Sequence, residues 1–358
     1  MQCENCLNLV HEGKKYCNTC QRTSTRLQKF HVLSDDPNDA VKLLRGFGKN
    51  KRLMIGISGG VDSCMVATLA GEAGLTLTLL HFDNGWNSSQ ANTNIFLLAE
   101  KYGFRLKTNI MDWSTFRSLQ RSFLKASVPD IELVTDHAIF ATMLLELKKN
   151  KIDYMLSGAN FCTEHGLDLG GKVWNKLDIL NIWDINRKFE NTDLARYPTT
   201  NPFSWALYRF GGQAVRVVNP LNNFWYKRST AIEFMKDKFG FQDYGYKHEE
   251  SVFTKVYQRT LLPKKFNVVK VLPHINAQIR NKEITKTQGM RELEFFERST
   301  EANEYEQRYV RDKLGFSELE WNAILNAEPK RHDEYRNLSV LTKPATSILG
   351  YLNLRSMD

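Results

Sequence analysis

Residues 58–63 read SGGVDS and directly follow the apolar run RLMIGI, a combination of residue types that suits anion binding. Glycine lets the backbone approach an anion closely and adopt positive φ angles, as we expect for both glycines. If a strand ends and a helix begins here, the first helical amides point at the anion and the helix dipole assists them. Ser58 and Ser63 add hydroxyl donors. Asp62 would repel bare phosphate, so it indicates a magnesium-bound phosphate or a role in fixing the loop.

A glycine pair alone would favour a plain turn between a strand and a helix. The full SGGxDS pattern after an apolar strand favours a phosphate-binding loop instead. The GxxxxGK[ST] pattern of a Walker A loop is missing, so the sequence predicts a phosphate loop of another class.

The elements that must position this loop alternate between apolar strands and amphipathic helices from Lys51 onward. Five segments are strand-like: RLMIGIS, LTLTLLHFD, RLKTNIM, IDYMLSGAN and QAVRVVNPL. The helix-like segments include SSQANTNIFLLAEKYG, which begins with a serine cap, and DHAIFATMLLELKKN, for which Asp136 is the expected N-cap. Strands that alternate with helices imply right-handed crossovers and a parallel sheet. The sequence therefore predicts a Rossmann-like α/β fold with a parallel sheet of about five strands and helices on both faces.

Composition and pattern divide the chain into four expected parts. Residues 1–25 carry a cysteine pattern, residues 26–50 read as a linker helix, and residues 51–225 carry the strands of the α/β domain. After Trp225 the apolar spacing becomes helical, so we expect residues 226–358 to form a mostly helical C-terminal region.

The bulk composition bounds the class of protein. The 358 residues suffice for two domains or one large domain with an appendage. There is no run of 18 apolar residues, and MQCENCLNLV lacks the features of a secretory signal. We therefore expect a cytoplasmic protein without a membrane partner. The net charge of +9 suits nucleic acid, a membrane surface or small anions, but the lysines and arginines are scattered, which favours small anions.

Four of the six cysteines form two CxxC pairs separated by ten residues: Cys3, Cys6, Cys17 and Cys20. This spacing is typical of a closed, four-thiolate structural zinc site. Without a secretory signal a disulfide framework is disfavoured, and zinc is preferred to iron. Of the other two cysteines, Cys64 begins a predicted helix and Cys162 follows the fourth strand, so each is a reactive candidate or a small buried residue.

The SGGVDS loop resembles the PP-loop of the N-type ATP pyrophosphatases, a superfamily that includes GMP synthetase, NAD synthetase, asparagine synthetase and the tRNA thiolation enzymes. Three further features occur in the order that this superfamily requires. HFDNG at residues 81–85 ends the second strand, SGAN at residues 157–160 ends the fourth, and Asn219-Pro220-Leu221 with Lys227 resembles the PL…K motif. Each alone also fits a polar loop at a strand end.

The resemblance implies that the enzyme cleaves ATP between its α and β phosphates and holds the pyrophosphate in the loop with Mg²⁺. Asp62 and Lys227 are then expected to act in catalysis. The residues expected to bind the nucleotide and its metal are Ser58, Gly59, Gly60, Asp62, Ser63, His81, Asp83 and Gly158. The expected cofactors are ATP, Mg²⁺ and Zn²⁺.

Most of the chain also resembles the N-acetyl sugar amidotransferases of the WbpG and PseA type, which act in bacterial surface polysaccharide synthesis. Beyond the cysteine pairs and SGGVDS, the likeness rests on VTDHA at 134–138, SGAN at 157–160, KHEESVFT at 247–254 and LPKKF at 262–266. It implies that ATP adenylates the acetamido oxygen of a nucleotide-linked N-acetyl sugar, and that ammonia then replaces AMP to give an acetamidino group. The implied pathway is the synthesis of lipopolysaccharide O-antigen or a related surface glycan, and the implied substrate is a UDP-linked diacetamido sugar acid.

Four residues are candidates for positioning the acetamide or the ammonia: Asp136, His137, Asn160 and Glu164. Asp136 and His137 fit a helix cap and a structural histidine equally well. Tyr244, Tyr246, Lys247 and His248 form a group that suits a uracil ring and a diphosphate, or a solvated loop.

The sequence shows no glutaminase triad, so ammonia must come from solution or from a partner. The resemblance suggests a glutaminase–synthase pair related to imidazole glycerol phosphate synthase. The alternative function is tRNA 2-thiolation, which the sequence pI of about 9.1 favours. Thiolation enzymes of this layout usually carry paired central cysteines, whereas Cys64 and Cys162 are isolated, so we do not expect a nucleic-acid partner. A binding protein with a decayed loop is disfavoured because Asp62, Ser63 and Lys227 are intact.

Overall fold

The computed structural model describes residues 1–165, 173–210, 216–245, 249–299 and 304–338. Within them lies one five-stranded sheet, whose strands pair in the order β3-β2-β1-β4-β5. All neighbouring strands are parallel. The strands are β1 Leu53–Ile57, β2 Leu77–Asp83, β3 Arg105–Ile110, β4 Tyr154–Leu156 and β5 Arg216–Val218. This confirms the predicted α/β fold.

The central strand β1 is buried on both faces, which is why its sequence is almost continuously apolar. Leu53, Ile55 and Ile57 join one hydrophobic cluster, whereas Met54 joins a second with Leu147. The chain passes from β1 to β2 on one side and later returns to pair β4 on the other. The strand order therefore reverses at the carboxyl end of β1, which is where open α/β sheets bind ligands.

Helices cover both faces of the sheet, as predicted. The helices that follow the strands or pack against them are α3 Val61–Glu72, α4 Ser89–Tyr102, α5 Trp113–Ala126, α6 Leu133–Lys149 and α10 Arg228–Phe239. Ser88 caps α4 as expected, because its side chain accepts a hydrogen bond from the Ala91 amide. The prediction that Asp136 is the N-cap of α6 is wrong. This helix begins at Leu133 with Glu132 as its N-cap, so Asp136 lies inside the first turn.

The remaining described helices precede the sheet, connect its later strands, or follow it. They are α1 Asn18–His31, α2 Asn38–Gly48, α7 Phe161–Glu164, α8 Ile179–Phe189, α9 Pro202–Phe210, α11 Val252–Val256, α12 Leu262–Phe266, α13 Val271–Arg280, α14 Lys286–Ser299, α15 Glu304–Leu314 and α16 Glu318–Asn326. A π-helical turn, Tyr257–Leu261, joins α11 to α12. The region after Trp225 is helical in its described parts, which confirms that prediction. Helix α1 crosses the predicted boundary at residue 25, and α10 of the C-terminal part packs against α3 of the α/β part. The three boundaries between the four predicted parts stay predictions.

One long-range pairing brings the helical region to the carboxyl edge of the sheet. The amide of Ser88 donates to the Glu250 carbonyl at 2.8 Å, and the amide of Val252 donates to the Trp86 carbonyl at 2.8 Å. These bonds fix the start of α11 opposite the loop that follows β1. In the described part of the chain, no helix is long and apolar enough to cross a membrane.

Candidate active site

The SGGVDS loop connects β1 to α3 in a tight turn pressed against α4. Gly59 has φ +79°, while Gly60 has φ −75° and forms the N-cap of α3, so the expected positive φ is present only at Gly59. A Cβ at Gly59 would collide with the backbone of Ala91, which is why only glycine fits. The loop thus presents the N-terminus of a helix of 12 residues to the space above the sheet.

The two serines hold the loop together. Ser58 Oγ accepts a hydrogen bond from the Gly60 amide at 3.2 Å, and Ser63 Oγ donates to the Gly60 carbonyl at 3.2 Å. The two hydroxyl oxygens lie 3.5 Å apart. They therefore face the same small volume, in which both could turn toward a bound anion.

Asp62 is positioned by two residues that come from later in the chain. A Cβ at Gly158 would lie 3.0 Å from the Asp62 carbonyl carbon, so the turn after β4 packs directly on the loop. The Tyr226 hydroxyl donates to Asp62 Oδ1 at 2.6 Å. Burial, and then the charge of Asp62, raises the pKa of Tyr226 far above its usual value, so this tyrosine stays a donor.

A cavity of about 170 Å³, here called the loop cavity, opens beside SGGVDS. Its walls mix loop residues with groups from α7, α10 and α13: Ser58, Gly60, Val61, Asp62, Ser63, Gly158, Thr163, Glu164, Arg228, Tyr244, Glu250, His274 and Gln278. Arg228 is largely buried and is braced by Asp243 Oδ1 at 3.1 Å and the Gly245 carbonyl at 2.6 Å. Helix amides and a fixed guanidinium suit phosphate, and the carboxylates of Asp62 and Glu250 suit a hard cation bound with it.

A second cavity of about 430 Å³, here called the sheet-edge cavity, lies over the carboxyl ends of β1, β2 and β4. It shares Ser58, Gly158 and Glu250 with the loop cavity. Its volume falls in the range of small-molecule sites, about 300–1,000 Å³. Apolar walls from Phe82, Met143 and other side chains alternate with polar groups, which suits a nucleoside or a sugar.

Asp136 lines the sheet-edge cavity and pairs with Lys176 at 2.9 Å. Lys176 also pairs with Asp130 at 2.7 Å. Burial alone would lower the pKa of Lys176, but the charges of Asp136 and Asp130 outweigh it and raise this pKa, so Lys176 stays an ammonium. The cavity therefore has in its wall the carboxylate of Asp136, which is held in place by the ammonium of Lys176.

Several candidate residues are occupied by structural hydrogen bonds. His137 is buried, with Nδ1 2.8 Å from the Lys176 carbonyl and Nε2 accepting from the Thr200 amide, and burial lowers its pKa. It is therefore a neutral structural histidine. Asn160 is also buried, and its side chain caps α7 by accepting from the Thr163 amide at 2.8 Å.

The two candidates at the end of β2 are engaged in the same way. His81 Nδ1 contacts the Ile57 carbonyl at 2.9 Å, and Nε2 contacts Asn87 at 3.0 Å. Asp83 accepts from the Gly85 amide at 2.8 Å. His81 thus supports the backbone just before SGGVDS. Nucleotide binding by His81 and Asp83, and a reactive role for Asn160, stay predictions.

The cation expected from the PL…K motif does not face the loop in this structure. Lys227 Nζ lies 4.0 Å from the centroid of the Trp225 ring, and Lys227 lines neither cavity. Its neighbour Arg228 lines the loop cavity instead. Sequence reasoning missed Arg228, although it follows the motif lysine, and missed the role of Glu250 within KHEESVFT. Tyr246, Lys247 and His248 lie outside the described residues.

The cysteine pairs form one buried cluster. Their four Sγ atoms lie within 4.8 Å of one another, and the Cys3–Cys20, Cys6–Cys17 and Cys6–Cys20 sulfur distances are 3.7, 3.6 and 3.6 Å. Four sulfurs at about 2.3 Å around a tetrahedral zinc would be about 3.8 Å apart. All four cysteines are free of disulfides. The arrangement therefore fits zinc.

The cysteine cluster is fastened to α13, the helix that also lines the loop cavity. The Leu7 amide donates to Asn276 Oδ1 at 2.7 Å, and the Leu7 side chain packs on Val271 and Ile275. Lys286 Nζ donates to the Cys3 carbonyl at 2.6 Å. The folded cysteine cluster therefore helps to hold α13 in position.

Neither remaining cysteine is placed for nucleophilic chemistry. Cys64 and Cys162 are fully buried. Burial raises the pKa of Cys64 far above its usual value and that of Cys162 to about 12. A thiol held in this state is a poor nucleophile at neutral pH.

Comparison with known proteins gives a family match for the C-terminal part of the chain. Residues 250–346 match the family model of the C-terminal domain of WbpG-like lipopolysaccharide biosynthesis proteins. After this similarity we call residues 250–346 the WbpG-like domain. Its first residue, Glu250, is shared by the two cavities, and the described helices α11 to α16 belong to it. No curated protein matches the chain.

Two similar solved structures are synthetases. The NMN synthetase of Francisella tularensis is 16% identical, with a TM-score of 0.39 over 74% of this chain and 94% of that one. The NH3-dependent NAD synthetase of Campylobacter jejuni, solved with a nitrate ion, is 15% identical, with a TM-score of 0.36 over 73% and 96% of the two chains. At these scores neither structure says what the present chain acts on.

Proposed function

We propose that the protein is an ATP-dependent, AMP-forming amidotransferase that converts the acetamido group of a nucleotide-linked N-acetyl sugar into an acetamidino group. The observation that carries this proposal is the junction of two cavities at the SGGVDS loop, with Glu250 of the WbpG-like domain in the wall of both. The SGGVDS loop and the WbpG-like domain thus meet at one place, which supports the proposal.

The loop cavity is the proposed site of the pyrophosphate leaving group. Negative charge builds on this group as the bond between the α and β phosphates breaks. The amides at the start of α3 and the guanidinium of Arg228 would stabilise that charge once the Tyr244 hydroxyl has moved away from the Val61 amide. Asp62 and Glu250 would hold the accompanying Mg²⁺, which supplies further charge neutralisation when bound. The Tyr244 hydroxyl, 3.2 Å from the Val61 amide, occupies a position that a phosphate oxygen would take.

The sheet-edge cavity is the proposed site of the adenosine and the acetamide. The α phosphate then lies where the two cavities meet, near Ser58 and Gly158. The acetamido oxygen attacks the α phosphorus, pyrophosphate leaves, and the amide proton is lost, which gives an O-adenylated imidate. Ammonia forms a bond to the imidate carbon, AMP leaves with the bonding electron pair, and the three ammonia hydrogens stay on the amidinium product. Because water would destroy the imidate, enclosure beneath Glu250 and α11 is an advantage.

The sugar is proposed to be a UDP-linked diacetamido sugar acid used for lipopolysaccharide O-antigen or a related glycan. The ammonia is proposed to come from a glutaminase–synthase pair as a separate partner. The cysteine cluster holds Zn²⁺ in this proposal and has a structural role through α13.

The alternative, tRNA 2-thiolation, needs a sulfur-carrying cysteine near the loop. Cys64 and Cys162 are the two cysteines outside the cluster, and both are buried with raised pKa values. This observation favours amidine formation over sulfur transfer.

The test is pyrophosphate release from ATP in the presence of ammonium chloride, with a UDP-linked diacetamido sugar acid in one reaction and bulk tRNA in another. We expect release that depends on the sugar, and a sugar product that carries NH in place of an oxygen by mass spectrometry. Release that depends on tRNA would replace the proposal by the alternative.

A further inference from the structure

A third, smaller cavity lies behind the loop cavity, inside the WbpG-like domain. Its volume is about 30 Å³, and we call it the inner chamber. It is lined by Glu249, Lys255, Gln258, Arg259, Val271, His274, Ile275, Gln278, Glu292 and Phe296. His274 and Gln278 of α13 also line the loop cavity, so one wall of side chains separates the two spaces. The chamber is large enough for a water-sized molecule.

The inner chamber contains a buried amide that lacks a hydrogen-bond partner, as is common where a ligand binds. Gln258 is only 9% exposed, and its Nε2 has no hydrogen-bond partner within the described ranges. A buried amide donor without an acceptor costs about 1–3 kcal/mol, so native proteins rarely leave one unless a ligand or water fills the position. Gln258 sits on the π-helical turn Tyr257–Leu261, a local distortion that is frequent at functional sites.

The charged groups of the chamber supply acceptors as well. Arg259 already pairs with Glu249 at 2.5 Å, and Lys255 already pairs with Glu306 at 2.8 Å. Glu292 is half-buried, and burial followed by the charge of Glu283 raises its pKa. The chamber therefore offers the unpartnered amide of Gln258 and carboxyl oxygens to a very small ligand that both accepts and donates hydrogen bonds.

We propose that the inner chamber is an ammonia-binding site that delivers the nucleophile to the loop cavity between His274 and Gln278. The inference rests on the proposed amidotransferase function, because that reaction needs a small neutral nucleophile at an imidate that water must not reach. Bound ammonia accepts from Gln258 Nε2 and donates to the carboxyl oxygens. After pyrophosphate has left, it passes the wall into the loop cavity and crosses to the junction with the sheet-edge cavity near Ser58 and Gly158. There it attacks the imidate carbon, while AMP leaves with the bonding electron pair.

The test is the steady-state dependence of amidine formation on ammonium chloride. Gln258→Met keeps the volume of the side chain and removes the donor. We expect the KM for ammonium to rise about tenfold, which is the largest change in affinity that the loss of one hydrogen bond usually causes. The KM for ATP and the kcat at saturating ammonium should stay unchanged. Gln120→Met is the control, since Gln120 is also buried with an unpartnered Nε2 in the described part of the chain, but lies on α5 and does not line the chamber. Its Oε1 accepts from Trp86 Nε1 at 2.8 Å, so we expect this control to lose stability and to keep the wild-type KM for ammonium.

A wild-type ammonium KM in a folded Gln258→Met variant overturns the site, and so does an equal rise in Gln120→Met. If Gln258→Met lowers the melting temperature and changes the KM for ATP, the test is repeated with Gln258→Asn. The asparagine side chain keeps an amide, but it is shorter, so the amide no longer reaches the chamber.

If the proposed function is wrong, the wild-type protein forms no amidine, and this outcome is distinct from a change in the ammonium KM. The chamber is then tested alone by the NMR signal of bound ¹⁵N-ammonium chloride. A bound signal that is lost in Gln258→Met supports the ammonia site. A chamber that binds only water gives no such signal, and this result overturns the inference.

Discussion

The Tyr226→Phe substitution probes the phosphate loop through a single buried hydrogen bond. It removes the hydroxyl that donates to Asp62 Oδ1 at 2.6 Å and leaves the rest of the ring in place. The ring is fully buried in the core cluster beside α3, so its packing is retained. The perturbation therefore acts on Asp62 alone.

The expected magnitude follows from the charge of the acceptor. A hydrogen bond to a charged group contributes about 1.5–3 kcal/mol. Because Asp62 is half-buried, water can replace part of this, and we expect a loss of unfolding free energy of about 1–2 kcal/mol. If Asp62 holds the metal of the leaving group, its misplacement should lower kcat for pyrophosphate release about tenfold to a hundredfold, at 1.4 kcal/mol for each factor of ten.

Urea denaturation and pyrophosphate release should be measured together on Tyr226→Phe and on Tyr335→Phe. Tyr335 is a matched control, because its buried hydroxyl donates to the Ala126 carbonyl at 3.0 Å and it lines neither cavity. We expect the control to lose about 0.5–1.5 kcal/mol of stability and no activity. A Tyr226→Phe enzyme with wild-type kcat, or a control with an equal activity loss, would refute the role given to Asp62.

Four further predictions concern other parts of the site. Cys17→Ser should lower the metal content and the melting temperature, measured by elemental analysis and calorimetry, since one thiolate of the closed site is lost; a metal-free variant of wild-type stability would contradict the zinc site. Gly158→Ala should lower kcat about tenfold, because its Cβ would lie 3.0 Å from the loop backbone. Arg228→Gln should raise the KM for ATP more than Lys227→Gln does, and the reverse order would restore the motif lysine as the phosphate contact. Burial and a neighbouring arginine lower the pKa of His165 to about 4. The unfolded chain, with a pKa of about 6.5, therefore takes up this proton first, and stability should fall as the pH drops from 6.5 toward 4, with a shallower fall in His165→Gln.

Most of the fold could be predicted from the sequence, because each strand and helix is specified by residues that are close together in the sequence. The strand-like segments and the serine cap of α4 follow from apolar periodicity and capping chemistry within a few residues. The cap of α6 was misassigned because Glu132 and Asp136 both lie near its start and both are acidic, so composition could not choose between them. The structure begins the helix at Leu133.

The site could be predicted only in part from the sequence, because the residues of its outer wall are far from the SGGVDS loop in the sequence. Glu250 reaches the loop through its backbone pairing with Ser88, which lies 162 residues earlier and carries no sequence signature of the contact. Whether Lys227 or Arg228 faces the loop depends on the side-chain geometry at the start of α10, and the two adjacent cations are indistinguishable by type. Asn160 looked reactive for the same reason that it makes a good helix cap.

The most direct test of the central claim is the fate of the acetamido oxygen. A UDP-linked diacetamido sugar acid labelled with ¹⁸O in the acetamido group should be incubated with ATP, Mg²⁺ and ammonium chloride, and the AMP analysed by mass spectrometry. Transfer of the label to AMP is the predicted result, since the acetamido oxygen attacks the α phosphorus. Label that stays on the sugar, or AMP that carries oxygen from water only, would contradict the account.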